Sequence, residues 1–152
     1  MICSYEVYSE QRQIDSGILG NYTVTRKCPD YCNSEEFDKA LNKDIFKELI
    51  QTRCCFVSPA LFHQDFVLSH QEVNSGNIGM ALISVSKDEE EHYTFKFDVL
   101  DTPQGRIVAS TLERGYPISI GICCCGDICE DGKMIDFEIT SIYYSFSSLQ
   151  GE

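Results

Sequence analysis

Seven short segments with the β-branched and aromatic composition of strands run through this sequence, and they constrain the fold more than any other feature. Within residues 17–25 the apolar Tyr22 and Val24 alternate with polar neighbours, as in a strand buried on one face. The charged run 87–92 separates two of the segments and is typical of a solvated hairpin turn. The predicted strands cover residues 2–8, 17–25, 66–69, 79–86, 93–99, 118–124 and 134–146.

Two helices interrupt these strands. Ser34, followed by Glu35 and Glu36, is typical of a capped helix start. Apolar residues then recur at helical spacing to about residue 51. That apolar stripe, predicted to lie in the core, consists of Phe37, Leu41, Ile45, Phe46, Leu49 and Ile50. Residues 101–103 predict a second helix start, and Gly115 its end. The sequence therefore predicts an α+β fold, a mostly antiparallel sheet or barrel with two or more flanking helices.

The chain length of 152 residues is that of one domain, expected over residues 1–146 with a flexible tail at 147–152. No apolar run approaches the length of a membrane span, and the N-terminus lacks the basic-then-apolar order of a secretory signal. Twelve lysines and arginines stand against 24 acidic residues, a formal net charge of −12. So little cationic surface disfavours direct binding to a nucleic-acid backbone. We expect neither a membrane partner nor a nucleic-acid partner.

Nine cysteines are many for this length, and their placement argues against a disulfide framework. The total is odd, and several are adjacent, so that neighbours on a strand point to opposite faces. We expect reduced thiols that serve mainly as small apolar residues. Cys28 with Cys32, and Cys125 with Cys129, nevertheless form two C-x₃-C pairs, which leave a zinc-binding interaction module as one alternative.

Candidates for acid–base chemistry are few. Of three histidines, His92 lies in the charged turn, while His63 and His70 flank a short apolar segment. Ser119 stands between two isoleucines, and a hydroxyl in so apolar a segment needs a hydrogen-bond partner. Spacing alone does not distinguish a nucleophile from a serine bonded to its own backbone.

The order of five short motifs gives information about function that the composition does not give. They are SHQE at 69–72, NIG at 77–79, DTPQGR at 101–106, ERG at 113–115 and ISIG at 118–121, and EITSI follows at 138–142. This succession resembles the prohead (capsid maturation) proteases of tailed bacteriophages, relatives of the herpesvirus assemblins. The resemblance covers about residues 60–146. It implies an assemblin-like fold and a serine endopeptidase that needs no cofactor and no metal.

The resemblance also implies roles for individual residues. His70 matches the histidine at the end of a strand, which acts as general base, and Ser119 matches the nucleophile. Glu138, which begins the segment matching the last strand of the family, is the candidate for orienting the histidine. His63 is the rival, since assemblins use a second histidine there, and Asp136 is a lesser one. The donors of the oxyanion hole are expected near residues 121–126.

On this resemblance the substrates are scaffold and major capsid proteins, and the enzyme itself through autoproteolysis. Self-association is expected, and the place of action is the assembling prohead inside the host cytoplasm. A cysteine nucleophile among residues 123–125 would also pair with His70. The other alternative is a non-catalytic relative of the protease fold that serves as a structural or scaffold-associated head protein.

Overall fold

The computed structural model of the protein describes residues 2–12, 17–52, 55–59 and 78–146. Its strands are β1 (Ile2–Val7), β2 (Ile18–Lys27), β3 (Phe56–Pro59), β4 (Met80–Lys87), β5 (His92–Leu100), β6 (Ser119–Ile128) and β7 (Met134–Ser145). Its helices of eight residues or more are α1 (Ser34–Leu41), α2 (Asp44–Gln51) and α3 (Pro103–Glu113). The predicted strand at 66–69 and the predicted tail at 147–152 lie outside the described residues.

The strands form one seven-stranded sheet in the order β1-β2-β5-β4-β3-β7-β6. Every neighbouring pair is antiparallel except β3 and β7, which run parallel with Ser58 opposite Tyr143. The α+β class and the mostly antiparallel sheet are thus confirmed. β1 and β6 are the two edge strands of this sheet.

The core gathers one face of the central strands and residues of α1, α2 and α3. Val24, Phe95, Phe97 and Leu82 are fully buried there because alternate residues of β2, β5 and β4 share that face. The ring of Phe37 on α1 packs edge-on against Tyr93 of β5, with ring centroids 4.8 Å apart.

The predicted helix ending near residue 51 is two helices. Asn33 caps α1 by accepting a hydrogen bond from the Glu36 backbone N–H at 2.9 Å, and Lys43 has an extended backbone between α1 and α2. This break between α1 and α2 changes which residues of the predicted apolar stripe face the core. Phe37, Phe46 and Leu49 are buried as expected, but Ile45 is 57% exposed, so its predicted core position is wrong.

The start and end of α3 follow the predicted signals. The Thr102 hydroxyl accepts a hydrogen bond from the Gly105 N–H at 2.9 Å, and Pro103 is the first helical residue. Gly105 allows a close approach to β5, since a Cβ there would lie 1.7 Å from the Leu100 carbonyl oxygen. Gly115 ends the segment with φ +84°, a conformation that glycine adopts freely.

The β6–β7 hairpin is longer than the sequence predicts. β6 continues to Ile128, beyond the strand end predicted at residue 124, and the turn is confined to residues 129–133. β3 was not predicted, because four residues ending in Pro59 give no alternation to recognise. None of the helices in the described ranges has the length and apolar composition needed to cross a bilayer.

Candidate active site

Ser119 is the first residue of β6, at an edge of the sheet. It follows a short connection from α3 through Gly115, whose N–H donates to the Leu112 carbonyl at 3.0 Å, and through the fully buried Ile118. Ser119 is half-buried and lies opposite Ser145 of β7. The fold therefore presents this serine where a helix turns into an edge strand.

Two side chains of β2 hold the residues on either side of Ser119. The Tyr22 hydroxyl donates a hydrogen bond to the Ile118 carbonyl oxygen at 3.0 Å, in a buried position. The Arg26 guanidinium donates through Nη1 to the Ile120 carbonyl oxygen at 2.8 Å. The backbone around Ser119 is thus fixed on its outer side, where an edge strand otherwise meets solvent.

A cleft of about 350 Å³ opens beside this serine, lined by Arg26, Lys27, Ser119 and Ile120. Arg26 and Lys27 thus line the same cleft as Ser119, in a chain whose net charge is −12.

The ladder between β6 and β7 shapes the neighbourhood of the cleft. Gly121 lies opposite Tyr143, and a Cβ at Gly121 would come within 2.2 Å of the Tyr143 ring. The next residue, Tyr144, is fully buried opposite Ile120, and its hydroxyl donates to Gln104 Oε1 at 3.2 Å. Burial raises the pKa of Tyr144, so this hydroxyl stays protonated and acts as a donor.

His70 and His63 lie outside the described residues. The segment that carries them begins after Pro59, which pairs with Tyr144, and ends before Ile78. The N–H of Gly79 donates to the Val57 carbonyl oxygen at 3.1 Å, so both ends of the segment are held at β3.

Glu138 lies far from Ser119. It stands opposite Cys125, six residues along β6 from the serine, which at about 3.3 Å per residue is a separation of about 20 Å. Its carboxylate is exposed and lies 3.9 Å from Lys43 Nζ. Two hydrogen bonds of about 3 Å with an imidazole between them do not span that separation. The geometry therefore does not favour Glu138 as the residue that orients the histidine, and that role stays a prediction.

Asp136 lies farther along the same strand. Its carboxylate accepts a hydrogen bond from Lys39 Nζ at 2.8 Å, and its backbone N–H donates to Glu36 Oε1 at 2.8 Å. The ammonium of Lys39 holds the pKa of Asp136 below its ordinary value. These contacts fasten α1 to β7, and the role of Asp136 at Ser119 stays a prediction.

The geometry gives little support to a cysteine nucleophile or to a zinc site. Burial raises the pKa of Cys124, whereas a nucleophilic thiol needs a lowered pKa, and Cys125 is exposed on β6 six residues beyond Ser119. Cys28 Sγ and Cys32 Sγ lie 3.8 Å apart, and burial raises the pKa of Cys32 to about 12. Among the described residues, no three histidine, cysteine or acidic side chains come together as a metal site.

Sequence reasoning missed Tyr22 and Arg26 as parts of this site. Their partners are more than 90 residues away in the chain, and no motif connects β2 to the ISIG segment. The available signal was the spacing of Tyr22 and Arg26, which places both side chains on one face of a strand.

Comparisons with known proteins give a fold-level result. No protein-family model matches the chain, and no curated protein does. Among solved structures the chain is similar to the bacteriophage T4 capsid assembly protease, gp21, with a TM-score of 0.64 and 11% sequence identity. The alignment covers 95% of this chain and 91% of that one. The chain therefore has the fold of a phage capsid assembly protease.

Proposed function

We propose that this protein is a serine endopeptidase that cleaves scaffold and major capsid proteins, and itself, inside an assembling phage prohead. The observation that supports it most is the placement of Ser119 on a cleft, in a chain whose fold aligns with nearly the whole of a capsid assembly protease. The proposed nucleophile is Ser119 and the proposed general base is His70.

The proposed chemistry is acyl transfer. Ser119 Oγ attacks the carbonyl carbon of a peptide bond, and a ring nitrogen of His70 takes the hydroxyl proton. The C–N bond then breaks, and the leaving amine receives that proton from His70. Water hydrolyses the acyl-enzyme with His70 again as base, which restores the serine.

The chain between Pro59 and Ile78 is long enough for His70 to reach Ser119, which is consistent with His70 as the base. Pro59 pairs with Tyr144 and Tyr144 with Ile120, so Pro59 lies two strand spacings, about 10 Å, from the strand that carries Ser119. His70 is eight residues before Ile78, and an extended chain of that length reaches at most about 28 Å.

His63 is the residue proposed to orient His70, and the distance of Glu138 and Asp136 from Ser119 along β7 supports this choice. His63 follows Pro59 by four residues, a reach of at most about 14 Å, which exceeds the 10 Å that separates Pro59 from β6. A second imidazole fixes the tautomer of the base as a carboxylate does in other triads.

The competing function is a non-catalytic head protein with the same fold, and cleavage of a peptide library separates the two. Purified protein and the Ser119→Ala and His70→Ala variants are incubated with the library and their products are identified by mass spectrometry. Ser110→Ala, an exposed serine on α3, is the matched control.

We expect cleavage by the parent protein and by Ser110→Ala, and none by the other two variants. Cleavage that persists in Ser119→Ala would move the nucleophile to a cysteine. An inactive parent protein that also fails to cleave itself at high concentration would favour the non-catalytic function.

A further inference from the structure

Arg26 makes a contact that the proposed chemistry does not yet use. Its guanidinium reaches across from β2 and binds the carbonyl oxygen of Ile120, the residue directly after Ser119. A hydrogen bond from a charged donor is about twice as strong as one between neutral groups. Half-buried Arg26 thus makes a specific, strong contact at the end of β6 that carries the serine.

The geometry of a strand makes this bond relevant to Ser119. The N–H and C=O of one residue in an antiparallel strand point to the same side. The Ile120 carbonyl points away from β7 to Arg26, so Ser119 and Gly121 are the residues whose backbone groups face β7. The bond therefore fixes the outer side of the strand while β7 fixes the inner side.

We propose that Arg26 is a positioning residue for Ser119: through Ile120 it holds the serine backbone in the orientation for attack. This inference rests on the proposed function. Arg26 and Ser119 also line the same cleft. Substrate contact is not part of the role, since the contact observed is to the protein's own backbone.

Lys27 provides a matched comparison. It is the next residue of β2 and lines the same cleft, yet among the described residues it makes no hydrogen bond to β6. Lys27→Met removes one cleft charge and leaves the bond to Ile120. Arg26→Lys keeps the charge and loses the planar donor fork of the guanidinium.

The experiment measures how the rate of inactivation depends on the concentration of a fluorophosphonate. This dependence gives two separate quantities, the maximal inactivation rate and the concentration at which half of that rate is reached. We expect Arg26→Ala and Arg26→Lys to lower the maximal rate on the order of 10-fold to 100-fold, with the half-saturating concentration within about threefold. Lys27→Met is expected to lower the rate by less than about threefold. Free guanidinium, far below concentrations that unfold proteins, is expected to restore part of the rate to Arg26→Ala but not to Arg26→Lys.

A second measurement is the rate of hydrogen exchange of the backbone amides at residues 118–121. We expect this rate to be higher in Arg26→Ala than in the parent protein, and unchanged in Lys27→Met. Should Arg26→Ala fail to fold, Arg26→Lys takes its place in both measurements. Arg26 variants that react as fast as a reactive parent protein would overturn the inference alone. A parent protein that does not react at all would overturn the proposed function, and the inference with it.

Discussion

The hydroxyl of Tyr22 on β2 donates a hydrogen bond to the carbonyl oxygen of Ile118, 3.0 Å away and 96 residues later in the chain. Tyr22 is 1% exposed and Ile118 is fully buried, so this bond lies in the core. The contact joins the second strand of the chain to the residue directly before Ser119. It therefore couples the stability of the core to the position of the proposed nucleophile.

Tyr22→Phe is expected to lower the free energy of unfolding by about 1–2 kcal/mol, because it leaves a buried carbonyl group without a donor. Urea denaturation measures the loss. Tyr31→Phe is the control, since the Tyr31 hydroxyl is 3.5 Å from Cys124 Sγ, a weak hydrogen-bonding group. Equal losses in the two variants would contradict the importance of the Tyr22 bond.

Gly105→Ala is expected to destabilise the protein by about 1–3 kcal/mol, although alanine is the better helix former. The reason is the 1.7 Å approach of a Cβ to the Leu100 carbonyl oxygen, where backbone would have to move. Thermal unfolding measures the change. Ser110→Ala, on the exposed side of the same helix, is expected to stay within about 0.5 kcal/mol. A Gly105→Ala protein as stable as its parent would show that α3 does not pack this closely on β5.

The alkaline limb of the stability curve is expected to depend on Cys55. Burial raises the pKa of this thiol from 9.0 to about 12, so above pH 9 the unfolded chain loses the proton more readily than the native protein. The stabilising contribution is complete below pH 9 and is lost as the pH rises toward 12.

Denaturation under reducing conditions from pH 7 to pH 11 tests this. The stability difference between the parent protein and Cys55→Ala is expected to shrink above pH 9. Ser58→Ala, a buried neighbour on β3 that does not titrate, is expected to keep a constant difference over the same range. A Cys55→Ala difference that does not vary with pH would contradict the raised pKa.

Glu138→Gln is expected to leave the rate of fluorophosphonate inactivation within about twofold, because its carboxylate lies about 20 Å along the ladder from Ser119. His63→Ala is expected to lower that rate at least about tenfold, as loss of an orienting group does in other triads. A large loss in Glu138→Gln would contradict the register of β6 and β7. No loss in either would indicate a serine–histidine dyad.

The sequence was informative wherever a local pattern decides structure. Alternation in β2, the Thr102-Pro103 start of α3 and its end at Gly115 are all local, and all are confirmed. The pairing of strands that are far apart in the chain is not predicted by such local patterns. β3 owes its existence to β4 and β7 rather than to its own four residues, and no local pattern announces it.

The candidate site shows the same division. The motifs around Ser119 predict it as the nucleophile, whereas only the folding of β2 against β6 brings Arg26 close to it. The place of Glu138 in a motif predicts a position near the serine, but the register of the hairpin, with irregularities near Cys123 and Cys125, places Glu138 far from it. Register depends on the whole hairpin, so a motif does not specify it.

Mass-spectrometric mapping of the fluorophosphonate adduct tests the central claim most directly. Tryptic cleavage after Arg114 and Lys133 gives a peptide of residues 115–133, in which Ser119 is the only serine and no threonine occurs. The account predicts one adduct per chain, on Ser119, in the parent protein and none in Ser119→Ala. An adduct on one of the cysteines of this peptide or on another peptide, or equal labelling of Ser119→Ala, would contradict it.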